Sequence, residues 1–346
     1  MSALDRALTI DDLKKLAKRR VPKQFFDYID SGAYTEGTYN SNEEDFKKIT
    51  FRQRVAVNLE NRNLASTILG QPVSLPVAIA PVGSTGMTDA DGEIKAARAA
   101  EKFGIPFILS TMAICSIEDV AANTTKPFWF QLYVMRDREF IYRLIDRAKA
   151  ANCSALVLTM DLQILGQRHK DVRNGLTAPP KFTPRFVAEM MIKPGWAMRM
   201  LGTNRHTFRN IAGHVSDAVN LAKLSEWTRT QFDLTLNWSD IAWIKKRFGG
   251  PVIVKGVLDR EDARLAIERL DPQPPKPRQS IETIDRQMRA LLAGFAAQLS
   301  RQWLTYQKSA RDRGLVNRLE FTTMGNAVGG QYYWQGIFDV APDEAL

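Results

Sequence analysis

The sequence predicts an α/β fold, a (β/α)8 barrel of parallel strands that is incomplete or altered after its fifth strand. Three observations predict it. From Val77 to Ile267, short apolar runs alternate with amphipathic helical stretches, the pattern of βα units around a parallel sheet. Several runs end in polar residues: Gln131 lies in WFQLYV, Thr159 follows ALVL and Lys255 follows VIV. Strand ends of that kind are where a barrel carries its site. Past Leu270 the alternation stops, and Pro272, Pro274, Pro275 and Pro277 disfavour both a central strand and a helix interior. A doubly wound sheet satisfies the same periodicity.

The elements follow in order. Thr9 to Arg20 reads as a helix, with Leu13, Leu16 and Ala17 on one face and Thr9 placed to cap it with Asp12. Pro22 interrupts, and Phe25, Phe26 and Ile29 mark a second short helix before Gly32. Residues 35–63 read as polar and irregular, ending in a strand around Arg54 to Asn58. The strand-like runs are Val77–Ala80, Phe107–Leu109, Phe128–Val134, Ala155–Leu158 and Val252–Val254. Helices are expected over Ile94–Lys102, Ile117–Ala122, Phe140–Ala151 and Asp259 to Ile267. The stretch from Arg168 to Ser239 is too long for an ordinary βα loop. It reads as a lid, an interaction surface or a local helical subdomain packed on the barrel. Residues 280–306 read as mainly helical, with Met288, Leu291, Leu292, Phe295, Ala296 and Leu299 on one face. The expected division is a barrel portion over 1–270, with an excursion over 170–240, and a divergent segment over 271–346.

Composition narrows the function classes. The 346 residues are 45% hydrophobic, enough for a sizeable core, and carry a formal charge of +10. The basic balance suits anionic partners, but no nucleic-acid motif accompanies it, so nucleic acid is not an expected partner. Cys115 and Cys153 form neither a disulfide framework nor a metal set, and a reducing cytoplasm is expected. MSALDRALTIDDLKKL lacks the apolar core of a secretory signal, and no run reaches the ~20 apolar residues of a membrane span. No metal site is expected, because no histidine, cysteine and carboxylate cluster has zinc-site spacing.

Seven segments, in this order and spacing, carry a resemblance. They are PKQFFDYIDSGAYTEGT, PVAIAPVGSTGM, LSTMAICSIEDVA, PFWFQLYV, LVLTMDLQILGQRHKDVRNG, LNWSDIAWIKKRFGG and PVIVKGVLDREDARLAIE. Together they resemble the FMN-dependent L-2-hydroxy acid dehydrogenase and oxidase family, most closely its bacterial L-lactate dehydrogenase branch. The resemblance implies a flavin cofactor, FMN, and a small L-2-hydroxy acid as substrate. It implies reoxidation by a respiratory acceptor or by oxygen. It also implies peripheral association with the inner face of the cell membrane, and often a symmetric homo-oligomer.

The family pattern assigns FMN contact to Ala80, Pro81, Val82, Gly83, Ser110, Gln131, Thr159 and Lys255. The chemistry suits each. A lysine ending an apolar strand can stabilise negative charge on a reduced ring, an amide offers both donor and acceptor, and Gly83 relieves crowding. For Ser110 and Thr159 the competing role is local backbone capping. Tyr28 and Arg168 fall at the substrate-carboxylate positions, and Tyr133 falls near the substrate hydroxyl. The guanidinium fork matches a carboxylate, although Arg168 in QRHKDVR also reads as part of a solvated basic face. Asp161 matches the aspartate that pairs with the family's catalytic histidine.

That histidine belongs to an Asn-His-Gly-Gly-Arg-like segment expected just past Leu270. Here the chain reads LDPQPPKPRQSIETIDRQM, and none of its three histidines, His169, His206 and His214, lies beyond position 214. Nothing around Arg278 matches the family's arginine. The glycine-rich phosphate-binding turns also have no counterpart, and GNAVGG at 325–330 follows no apolar strand. The competing expectation is therefore a catalytically defective or non-catalytic interaction protein, derived from the family by truncation or frame alteration.

Overall fold

The computed structural model describes residues 6–50, 55, 56, 58, 60–176, 184–212, 214 and 230–270. Helix α1 (Ile10–Arg20) begins with a reciprocal capping box. The Asp12 backbone N–H donates to Thr9 Oγ1 at 3.1 Å, and the Thr9 N–H donates back to the Asp12 carboxylate at 3.1 Å. Helix α2 (Lys23–Ile29) follows Pro22 and buries Phe26. The stretch expected to be irregular contains α3 (Gly37–Lys47). It buries no residue, so it carries no apolar stripe to read. The Tyr39 hydroxyl ties it to α2 by donating to Asp30 at 2.5 Å.

A hairpin follows that periodicity did not reveal: β1 (Ser66–Ile68) pairs antiparallel with β2 (Gln71–Val73). Its two turn residues, Leu69 and Gly70, both take positive φ, 51° and 74°. Leucine is a poor marker for such a turn. No strand forms at the described residues of the stretch expected from Arg54 to Asn58: Val55 and Ala56 bend, Ala56 with φ +57°, and Asn58 pairs in no ladder.

The centre is a parallel sheet. After α4 (Thr85–Thr88) and α5 (Gly92–Phe103) come β3 (Ile108–Ser110), α6 (Ile117–Ala121), β4 (Trp129–Tyr133), α7 (Arg138–Ala150) and β5 (Ala155–Thr159). The excursion contributes α8 (His169–Arg173), α9 (Pro184–Ile192), α10 (Pro194–Leu201) and α11 (Arg209–Ala212). The chain returns through α12 (Asp240–Phe248), β6 (Val252–Lys255) and α13 (Arg260–Leu270). Strands β3 to β6 lie side by side in chain order, all parallel. The Val77–Ala80 run adds only a single parallel bridge, Ile79 to Phe107.

Alternate strand residues point to opposite faces, and the two faces differ. Leu109, Phe130, Leu132, Leu156 and Leu158 face the helices and join Ile94, Leu144, Ile145 and Ile241 in the main core. Helix α7 is anchored there by Phe140, Ile141, Leu144, Ile145 and Ala148, and capped by Asp137, which accepts from the Phe140 N–H at 3.0 Å. Each large side chain so buried contributes about 1.5–3 kcal/mol. Ile108, Trp129, Ala155 and Val157 face the other way and meet Ile68, Ala78 and Ile253. A doubly wound sheet puts helices on both faces and reverses its strand order. Neither feature occurs among the described residues, which form an α/β arc of four parallel strands in chain order with helices packed on one face. The segment 271–346, with its expected helix and GNAVGG, lies outside the described residues.

Candidate active site

The inner face of the arc is apolar at one end and polar at the other. Register places Ser110 beside Gln131, Tyr133 beside Thr159, and Thr159 beside Lys255. All five are buried. A buried amide needs partners on both ends. Ser110 Oγ donates to Gln131 Oε1 at 3.1 Å, and Gln131 Nε2 donates to Thr159 Oγ1 at 2.9 Å. Ser110 Oγ also accepts from the Met112 N–H at 3.1 Å, so it serves the local capping role as well.

Lys255 ends this row, 6% exposed, with Nζ 3.8 Å from Asp161 Oδ1. Burial lowers the lysine's pKa and raises the aspartate's, and in each case the partner's charge opposes the shift. Among the described residues, no side-chain donor is within hydrogen-bond reach of either Asp161 carboxylate oxygen. Gly256 makes room for this carboxylate. Its φ is +100°, and a Cβ there would stand 2.6 Å from Asp161 Cβ.

A second group involves Tyr28, Tyr133 and Arg168. Burial raises the Tyr133 phenol's pKa, reinforced by the charges of Tyr28 and Asp161. The Tyr28 hydroxyl meets Ser84 and would lie 3.5 Å from a Cβ at Gly83. Along the neighbouring loop, Ala80 is exposed, Val82 half-buried, and Pro81 and Gly83 buried. The Arg168 guanidinium lies 4.8 Å from the Tyr28 ring centroid. Its Nε sits 2.8 Å from Asp171 Oδ2, and Nη2 donates to Ser31 Oγ at 2.7 Å and to the Tyr28 carbonyl. Arg168 is thus a clamped, mostly buried side chain, and the solvated-face alternative is corrected. Burial pushes Asp171 up to about 6, against the pull of Arg168.

None of the histidines joins the group. His169 packs edge-on to Tyr34, and His206 is exposed. His214 stacks on Phe140, with Nε2 2.8 Å from Asp137 Oδ2.

The arc also recruits residues that sequence reasoning missed. Phe232, on the return from the excursion, packs edge-on to Tyr133 at 5.6 Å and bridges to Met135. Asn210 accepts from the Ile117 N–H at 3.0 Å and donates to the carbonyls of Ser110 and Thr111 at 3.3 and 3.4 Å. Both contacts span about a hundred residues, and neither residue belongs to a local pattern. Gly256 was visible only as the residue after Lys255, and Asp171 only as one charge in a basic cluster.

Chemically, the arrangement offers a buried cation at a strand end, an amide flanked by two hydroxyls, two phenols and a guanidinium. These suit a planar polar ring and a small carboxylate. The family described as FMN-dependent dehydrogenase matches residues 17–269. An L-lactate dehydrogenase of Acinetobacter baylyi is 41% identical over 259 residues, covering 74% of this chain and 67% of that protein. One from Pseudomonas syringae pv. syringae is 40% identical over 257 residues, with the same coverage of 74% and 67%. A solved (S)-mandelate dehydrogenase, described as a monotopic membrane protein, superposes with a TM-score of 0.72 at 31% identity, covering 76% of this chain and 70% of that one. A lactate oxidase of Pediococcus acidilactici gives 0.60 at 29% identity, covering 76% and 64%.

Proposed function

The chain belongs to the FMN-dependent dehydrogenase family, and we propose that the polar end of its arc is the ring-and-substrate side of a site for oxidising L-lactate to pyruvate. The observation that carries this is the buried row from Ser110 through Gln131 and Thr159 to Lys255. The chemistry of the row suits FMN: Lys255 is a buried cation at its end, with Asp161 Oδ1 3.8 Å from its Nζ. Bound FMN would supply the two-electron acceptor. Lys255 would stabilise negative charge on the ring, and Gln131, Ser110 and Thr159 would meet its polar edge. The backbone from Ala80 to Gly83 would pass beside it. Arg168 and Tyr28 would hold the substrate carboxylate, Tyr133 would meet its hydroxyl, and Asp161 would support a cationic base.

No described residue supplies that base, which favours a second reading: a family member that has lost turnover and kept part of the site. Both readings predict weak FMN binding, since the proposed ring contacts come without an assigned phosphate cradle. Titration followed by flavin fluorescence should show weak binding by the wild type and a clear loss with Lys255→Met. Stoichiometric yellow protein after gel filtration would contradict the expectation, and an unchanged Lys255→Met titration would remove Lys255 from the site.

Peripheral membrane association is part of the same proposal, as are a respiratory electron acceptor and a homo-oligomer. Among the described residues, no helix is long and apolar enough to cross a membrane. Helices α9 and α10 instead expose Met191 (76%), Ile192 (69%), Met198 (66%) and Leu201 (86%). Four such side chains beside Lys193 suit shallow insertion into an anionic surface, helped by the chain's positive charge. Co-sedimentation with phosphatidylglycerol-containing vesicles should fall several-fold for Ile192→Asp/Leu201→Asp. Equal sedimentation of the two proteins would reject this surface.

A further inference from the structure

Glu93 lies outside the row of site residues, yet it is 1% exposed. A buried carboxylate is costly unless donors surround it. Two backbone N–H groups, those of Gly86 and Ile114, donate to the same Oε1, each at 3.0 Å. Glu93 is the second residue of α5, where the helix's own N–H groups favour a negative charge. The buried Cys115 thiol hydrogen-bonds to the Glu93 carboxylate, and burial and that carboxylate's charge push the thiol's pKa up.

The two donors come from different segments. Gly86 lies in α4, just after the Ala80–Gly83 stretch, and Ile114 follows β3 and Ser110. The Ser84 N–H donates to the Met112 carbonyl at 2.9 Å, a second tie between the same segments. Ser84 has φ +58°, the left-handed region that a serine adopts only when its surroundings force it. That conformation presents Ser84 to the Tyr28 hydroxyl. Glycine is required at position 86, where a Cβ would stand 2.7 Å from Ile114 Cβ and 2.9 Å from Glu93 Oε2.

We propose that Glu93 is a positioning residue of the site: one carboxylate oxygen locks segments 82–86, which run into α4, and 111–115 into a single unit, which sets Ser84, Tyr28 and the stretch proposed to face the flavin. The flavin part rests on the function proposed above; the locking of the segments does not.

The test is hydrogen–deuterium exchange on the full chain without flavin, for the wild type, Glu93→Asp and Glu93→Gln. The aspartate is one methylene shorter and does not reach both donors. Its Gly86 and Ile114 amides should exchange ~10-fold faster together, the scale of a lost hydrogen bond to a charged group. The glutamine keeps an acceptor oxygen and should restore protection, while β4 and β5 stay unchanged in both variants. Loosening of one segment alone, of neither, or of the central sheet equally overturns the proposal. Should Glu93→Asp not fold, the wild type decides. Its two amides should open together, with protection within about threefold of each other, and unequal protection refutes the lock.

FMN titration of the same proteins separates the two layers. Weaker binding and a shifted visible spectrum in Glu93→Asp, restored in Glu93→Gln, support the positioning role. Flavin bound with identical affinity and spectrum by wild type and Glu93→Asp overturns it. Coupled exchange of the two segments in a wild type that binds no flavin supports the lock and refutes the flavin reading of the site.

Discussion

With L-lactate, glycolate or L-mandelate as donor, the 346-residue chain is expected to turn over near background. The reason lies at Asp161. Its two oxygens are buried without a side-chain hydrogen-bond donor among the described residues, and Lys255 stands 3.8 Å away on the row proposed for the flavin. A base that takes the substrate's proton should sit against this carboxylate, yet His169, His206 and His214 are all engaged or exposed elsewhere. General base catalysis is typically worth ~10²–10⁴-fold. The second carboxylate-binding arginine implied by the resemblance has no match in the sequence either, and such losses need not add. Anaerobic flavin bleaching and dye reduction measure the outcome. Rates of ~1 s⁻¹ or more, ordinary for enzymes, would overturn the defective reading. Single substitutions of Asp161 and of each histidine would then locate the base. Activity that appears only on adding a fragment carrying an Asn-His-Gly-Gly-Arg segment would show that the described arc is sound and merely lacks its partner residues.

Gly256→Ala should destabilise the protein by about 3 kcal/mol or more. The added Cβ enters space held by Asp161 Cβ, Cγ and Oδ1, and φ is +100°. Backbone strain of this kind costs ~1–3 kcal/mol, and the clash adds to it. The side chain that yields is Asp161, so its approach to Lys255 is lost as well. Gly37→Ala is the control: nothing lies within 4 Å of its added Cβ, and its stability should stay within about 0.5 kcal/mol of wild type. Urea midpoints with unchanged slopes compare the three proteins. A Gly256→Ala midpoint equal to wild type would mean that Asp161 does not pack against this glycine.

Local pattern determined the regular elements of this protein. Thr9 and Asp12 wrote their own capping box, and the stripe Phe140, Leu144, Ile145, Ala148 wrote α7. The polar residues closing WFQLYV, ALVLT and VIVK marked the working end of the sheet, because a two-residue period fixes which side chains share a face. Order and spacing of whole segments identified the family. Elements without an apolar signature stayed illegible: α3 buries nothing, and the β1–β2 turn places a leucine at positive φ.

Only the tertiary structure decided which side chains meet. Arg168 reads as one charge among several, and burial against Tyr28, Ser31 and Asp171 turns it into a fixed fork. Asp161 and Gly256 share one volume, Phe232 covers Tyr133, and Glu93 gathers two segments onto one oxygen. Spacing along the chain does not encode these contacts. Each joins segments brought side by side by burial of the strands' other face, and that burial is a property of the whole arc.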